Sequence, residues 1–276
     1  MSTSSTVQKK IKQYKPKGGL DHSARFFLAL CDINHGSTKQ HVENVALLAE
    51  STAKALRKDA KATFFAGIFH DIGKLVLSSN LFDGHNVDAN EYEEIKTHAQ
   101  AGFKALENFH LFVALCAGLH HNLYKKGYGL TVDVFPKEWS PATVKKVLEI
   151  SAIISICDFV DAFINRETKI KDGSDQGSKC LRDMLYDKYP DDHHVIDVVL
   201  KELLDKMVKE HGTLQEFSNA IWKAANDLFI TDDEARAGIE KYKRQLTELD
   251  VGIQCGIPLE QKFDKKGKCL HRVRHD

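Results

Sequence analysis

The chain has 276 residues, 42% hydrophobic and 28% charged, with 39 basic and 39 acidic side chains that cancel. A chain of this length hides roughly three quarters of its unfolded surface, and its zero net charge removes any bulk electrostatic case for nucleic acid or a membrane surface. No apolar run approaches the ~18 residues of a membrane helix, and the polar N-terminus lacks the apolar stretch of a secretory signal.

In chain order, "MSTSSTVQKKIKQYKPKGG" carries five lysines and reads as a flexible basic tail over residues 1–20. "HVENVALLAESTAKAL" repeats apolar residues at three and four (Val42, Val45, Ala46, Ala49, Ala53, Leu56), the spacing of an amphipathic helix. "DAKATFFAGIFHDIG" reads as a buried helix stopped by Gly73. "ANEYEEIKTHAQAGFKALENF" opens with acidic residues, as a helix N-terminus prefers. "LFVALCAGLHH" is short, nearly all apolar and expected to be central. Pro141 suits a first helical turn, and a long helix follows through "CDFVDAFINR".

Further helices are expected over "HHVIDVVLKELLDKMVKEHG", "TLQEFSNAIWKAANDLF" and "DDEARAGIEKYKRQLTEL", and a small hairpin over "IPLEQKFDKKGKCLHRV". The fold class is therefore all-α, with a core over residues 21–212 and a C-terminal helical extension and tail over 213–276. Six cysteines are scattered. Cys31, Cys116 and Cys157 sit in apolar surroundings and read as reduced core residues of a cytoplasmic protein. Cys255, Cys269, His271 and His275 contain the atoms of a zinc site but lack a close Cys-x-x-Cys pair, so the end of the chain reads as a hairpin or tail.

Histidine is the unusual count, at 14. One helix begins at His41, the next ends on His70–Asp71, another carries His98, the short apolar one ends on His120–His121, and the long one carries Asp158 among apolar residues. Singly, each has an ordinary explanation as a satisfied core residue or cap. Five separate helices each delivering a histidine or aspartate are better explained by a metal site. Imidazole with carboxylate suits Fe, Mn, Zn, Co or Ni better than Ca or Mg. The donors exceed what one tetrahedral ion needs, so two divalent transition-metal ions are expected, Fe or Mn first, with Asp71 able to bridge.

The order of these motifs resembles the HD-domain superfamily of metal-dependent phosphohydrolases, and within it the HD-GYP branch that hydrolyses cyclic dinucleotides. The likeness rests on "HVENVALLA", "FHDIGKL", "EYEEIKTHAQAG", "LHHNLYKKGYGL" and "CDFVDAF" and covers about residues 35 to 170. It implies an HD-domain helical bundle with His41, His70, Asp71, His98, His120, His121 and Asp158 as metal ligands. Lys74 matches a lysine that contacts substrate phosphate, which makes Asp71 and Lys74 the catalytic pair. Arg166 corresponds, one residue out of register, to a basic residue that grips phosphate. Lys125, Lys126 and Tyr128, in the loop after His120–His121, are placed to hold a second phosphate or stack on a base. The branch tripeptide Gly-Tyr-Pro is here Gly127-Tyr128-Gly129, a turn that glycine is expected to loosen. Members with three metals carry a glutamate four residues before the first histidine; Ser37 stands there, with His35 nearby.

The expected activity is phosphodiester cleavage of a cyclic dinucleotide, c-di-GMP or cGAMP, by a metal-bridged hydroxide between two ions ~3.5–4 Å apart. The alternatives are an HD phosphohydrolase for another nucleotide or phosphate ester, an HD-fold di-iron oxygenase, and a non-catalytic binding module. Residues 213–276 are left open between a cover for the site, a homodimer face and a surface for a regulatory protein partner.

Overall fold

The computed structural model describes residues 2–82, 85, 87–165 and 181–211. They form α1 (Thr3–Tyr14), α2 (Leu20–Asn34), α3 (Gly36–Ala55), α4 (Ala60–Phe69), α5 (Ala89–Leu106), α6 (Leu111–Leu119), α7 (Pro141–Asn165), α8 (Leu181–Lys188) and α9 (His193–His211), with two short 3₁₀ segments between α4 and α5. No strand occurs among the described residues, so the all-α expectation holds. They fall into two compact units. One holds the described residues of 1–168 and 188–195; the other holds the described residues of 169–187 and 196–276. All the residues discussed below belong to the first. The expected helices and hairpin beyond residue 211, and Arg166, lie outside the described residues.

The first unit is built around α3, which packs against α1, α2, α4 and α7, while α5 packs on α6 and on the 3₁₀ segment Ile72–Val76. The reason lies in small residues at crossings. A Cβ on Gly67 of α4 would lie 2.8 Å from the Ala46 Cα of α3, so the two helices meet backbone to backbone. Local signals set the starts: Asp59 caps α4 through the Ala62 amide, Asp88 and Glu91 form a capping box on α5, and Ser140 Oγ accepts from the Thr143 amide at the start of α7, just before Pro141. Phe64, Phe65, Ile68 and Phe69 of α4 join Val42, Ala46, Phe27 and Leu28 in the core. No described helix is long and apolar enough to cross a membrane.

Two expectations are corrected. Residues 1–20 are not a flexible tail: Ser2 caps α1, and Val7 and Ile11 are wholly buried. Burying two such side chains contributes roughly 1.5–3 kcal/mol each. Polar contacts seat the same helix on α3. Lys10 Nζ lies 2.6 Å from Glu50, the Tyr14 hydroxyl bonds Glu50, and Ser4 Oγ donates to Glu43 at 2.5 Å. Gly18 and Gly19, at φ +71° and +75°, then turn the chain into α2. Gly73 also is not what stops α4: the helix ends at Phe69, just before His70–Asp71, and Gly73 lies inside the 3₁₀ segment Ile72–Val76 that follows.

Candidate metal centre

The sequence places a histidine or aspartate on or just after each of five helices, and the fold brings these positions together. His41 lies in the second turn of α3, His70 and Asp71 follow α4, His98 lies within α5, His120 and His121 follow α6, and Asp158 lies on α7. Two sets of three have donor atoms within 4.8 Å of one another: His41, His70 and Asp71, and His98, His120 and His121. Asp71 faces both. Its Oδ2 is 3.4 Å from His41 Nε2 and 3.3 Å from His70 Nε2, and its Oδ1 is 3.3 Å from His98 Nε2. Asp158 spans them too, with Oδ1 2.9 Å from His41 Nε2 and Oδ2 3.8 Å from His121 Nε2. All seven residues expected to ligate metal are therefore in one cluster.

The imidazoles are aimed. Nδ1 of His70 donates to the Gly67 carbonyl at 2.7 Å, that of His98 to Ile95 at 2.5 Å, and that of His120 to Ala117 at 2.7 Å. A carbonyl only accepts, so Nδ1 carries the hydrogen and the Nε2 lone pair points into the cluster. His41 is held differently: its Nδ1 donates to Asp161 Oδ2 at 2.7 Å. His121 bonds the Tyr124 hydroxyl at 3.3 Å through Nδ1, and the Tyr128 ring stacks on it with centroids 4.5 Å apart.

These donors fit a transition metal. The Nε2 atoms of His41, His70, His98 and His120 and the Oδ1 of Asp71 are buried without a hydrogen-bond partner. The His41–Asp158 approach is short but not aligned as a hydrogen bond, which agrees with that accounting. Converging buried polar atoms without partners are costly unless a cation satisfies them.

Protonation follows the same pattern. Burial raises the Asp71 carboxyl, but Lys74 and then His70 outweigh it and hold the group well below the usual carboxylate range. Burial likewise raises Asp158, and His41 and His121 hold it well below that range. Burial lowers His98, lowers His121 well below its ordinary value with His120 adding to it, and takes His120 down to about 3 with the help of His70 and His98. His41 goes the other way. Burial lowers it, but Asp158 and Asp161 prevail and raise it to about 9.

Lys74 is 8% exposed, and its Nζ is 2.5 Å from Asp71 Oδ2. It is therefore a buried partner of the cluster rather than a solvated helix cap. Lys125 and Lys126 are exposed in the loop after α6. That loop is tied down: the Tyr128 amide donates to the His121 carbonyl and the Leu130 amide to Gly118, each at 2.9 Å. Gly129 sits at φ +99°, and a Cβ there would lie 2.5 Å from the Gly118 oxygen. The expectation that glycine loosens this turn is thus corrected. Glycine is what the turn requires, since proline is fixed near φ −65°. His35 is buried against the Phe82 ring and belongs to neither set of three.

Sequence reading missed Asp161, although it lies in the quoted "CDFVDAF", and it missed Tyr124, Tyr92 and Lys96. Lys96 Nζ stands 4.8 Å from the Tyr92 ring centre and 6.0 Å from that of Tyr128. The i to i+4 spacing of Tyr92 and Lys96 on α5 was the available signal.

Residues 38–165 match the family model described as HD domain, and that stretch contains every residue of the cluster. The match supports an HD-superfamily domain over that stretch. Among solved structures, the chain is similar to the HD domain of the L. monocytogenes phosphodiesterase PgpH, at 21% identity over 69% of this chain and 91% of that one, with a TM-score of 0.38. The same domain in complex with cyclic-di-AMP matches at 19% identity over 74% of this chain and 97% of that one, also at 0.38. No curated protein matches the chain.

Proposed function

We propose that the protein is a metal-dependent phosphodiesterase that cleaves a cyclic dinucleotide, c-di-GMP or cGAMP. In this reading His41, His70, Asp71, His98, His120, His121 and Asp158 hold two divalent ions, Fe or Mn. The carrying observation is the convergence of unpartnered imidazole Nε2 atoms from two sets of three on the single carboxylate Asp71. When bound, such an ion pair polarises phosphoryl oxygens and lowers the pKa of a water.

The chain's own residues then orient the substrate. Lys74 steadies Asp71 and adds a positive charge at the edge of the cluster for a phosphate oxygen. Tyr128, fixed over His121, offers a ring on which a base can stack. Lys125, Lys126 and Lys96 supply cations near that ring for the second phosphate, and Arg166 belongs to the same proposed set. The relation to the HD-GYP branch is part of the proposal, with Gly129 in place of its proline.

The test is metal content per chain after purification without chelator, followed by incubation with Mn(II) or Fe(II) and each of c-di-GMP, cGAMP and c-di-AMP. About two ions per chain and a linear dinucleotide or mononucleotides are expected. Two ions with no cleavage of any of the three would move the assignment to other phosphate esters or, if oxygen is consumed, to an oxygenase. No metal under any loading would overturn the enzyme reading.

A further inference from the structure

The histidines of the cluster differ in what holds the nitrogen that faces away from it. For His70, His98 and His120 the partner is a carbonyl of the same chain turn, three residues earlier. For His41 it is a carboxylate from another helix, Asp161, 120 residues away in the chain. Asp161 is nearly buried, and its Oδ2 lies 2.7 Å from His41 Nδ1. Asp158 and Asp161 are three residues apart on α7, so they share one face. That face meets the ring at both ends: Asp161 at Nδ1 and Asp158 at 2.9 Å from Nε2.

The contact has chemical consequences that a carbonyl contact has to a lesser degree. The carboxylate oxygen accepts the Nδ1 hydrogen and fixes the tautomer that leaves Nε2 as the donor toward the cluster. A negative acceptor also makes the opposite nitrogen a stronger ligand than a neutral one does. The contact ties α7 to α3 at the point where His41 must be aimed.

We infer that Asp161 is a positioning residue of the metal centre, acting through His41 to raise the affinity of the His41–His70–Asp71 set for its ion while leaving the His98–His120–His121 set unchanged. This rests on the proposal that the cluster holds metal. His70, His98 and His120 reach their geometry through their own helix turns; His41 reaches it only when α7 is in register with α3.

The experiment is a calorimetric and EPR titration of full-length protein with Mn(II), comparing wild type with Asp161→Asn, Asp161→Ala and Asp161→Glu, beside thermal unfolding of each metal-free variant. Asparagine keeps an oxygen acceptor but loses the charge, so one of two binding steps should weaken by about 10-fold; alanine should weaken the same step by up to about 100-fold. Glutamate should recover part of the loss. The other step should be unchanged in every variant. Wild type with two ions and all three variants indistinguishable from it would overturn the role of Asp161. So would equal weakening of both steps in parallel with a lowered unfolding temperature, which is a structural effect. Wild type that takes up no Mn(II) would instead overturn the metal-centre reading on which the role depends.

Discussion

The set His41, His70 and Asp71 and the set His98, His120 and His121 adjoin each other but differ in charge. The first contains one carboxylate, faces the second carboxylate Asp158, and has Lys74 salt-bridged at its edge. The second is three imidazoles with a tyrosine ring stacked on one of them. Burial leaves the second set neutral, with His120 down at about 3, whereas the carboxylates draw His41 up to about 9. Metal ligands must be deprotonated. On the proposed metal-binding reading, the neutral set would be ready to bind, and the charged set would have to release the His41 proton as an ion enters. The two sets would thus differ in how their loading depends on pH.

The largest expected effect erases the comparison. Asp71→Ala removes the buried carboxylate that, beside Asp158, faces both sets, and leaves Lys74 buried without its partner. Metal content should fall to background together with phosphodiesterase activity, and stability should drop by roughly 3–5 kcal/mol. Denaturant unfolding checks the second part. Adding Lys74→Met should restore much of the stability and none of the metal.

Next in size, His121→Ala should take one ion and spare the other. Metal analysis should read about one ion per chain instead of about two, with hydrolysis of the best substrate lost. If both ions leave, the two sets are one cooperative site and the comparison fails.

A third test uses pH on the metal-free protein. His98, His120 and His121 have folded pKa values below the ordinary histidine value, so their contribution is present above about pH 6.5 and lost as pH falls. Asp71 and Asp158, also lowered, act in the same direction further into acid. His41 is raised, so its contribution is present below about pH 6.5 and lost as pH rises through about 9. The melting temperature should therefore fall on both sides of neutrality, and His41→Gln should flatten only the alkaline side. An alkaline limb that survives this substitution would show that the carboxylates do not govern His41.

The smallest effect belongs to Tyr128. Alanine there removes a ring whose stacking is worth roughly 0.5–1.5 kcal/mol. KM should rise several-fold with metal content unchanged, and phenylalanine should behave as wild type.

The helices α3 to α7 were legible from different signals: apolar residues recurring at three and four in α3, short apolar runs in α4 and α6, an acidic first turn in α5 and Pro141 at the start of α7. The cluster was legible because His70–Asp71 and His120–His121 interrupt apolar runs where a core residue would otherwise stand. Other features were hidden for identifiable reasons. Lys9, Lys12, Lys15 and Lys17 gave residues 1–20 the look of a solvated tail, and the Val7, Ile11 and Tyr14 stripe beneath them went unread. Asp161 looked like another polar position of α7, since nothing local signals a partner on α3. Gly129 read as slack because its left-handed backbone is set by contact with Gly118, a tertiary fact.

Gly73 draws these parts together. A Cβ at that position would lie 1.9 Å from the His98 carbonyl oxygen and 2.6 Å from the Gly102 amide. The 3₁₀ segment after Asp71 can therefore lie directly on α5 only because this residue has no side chain. Asp71 belongs to one half of the centre and His98 to the other, and Gly73 sits between the backbones that carry them. A single methyl group there would act as a wedge, forcing the 3₁₀ segment and α5 apart. The span across which two cations could share one carboxylate is gauged, in this protein, by a residue with no chemistry of its own.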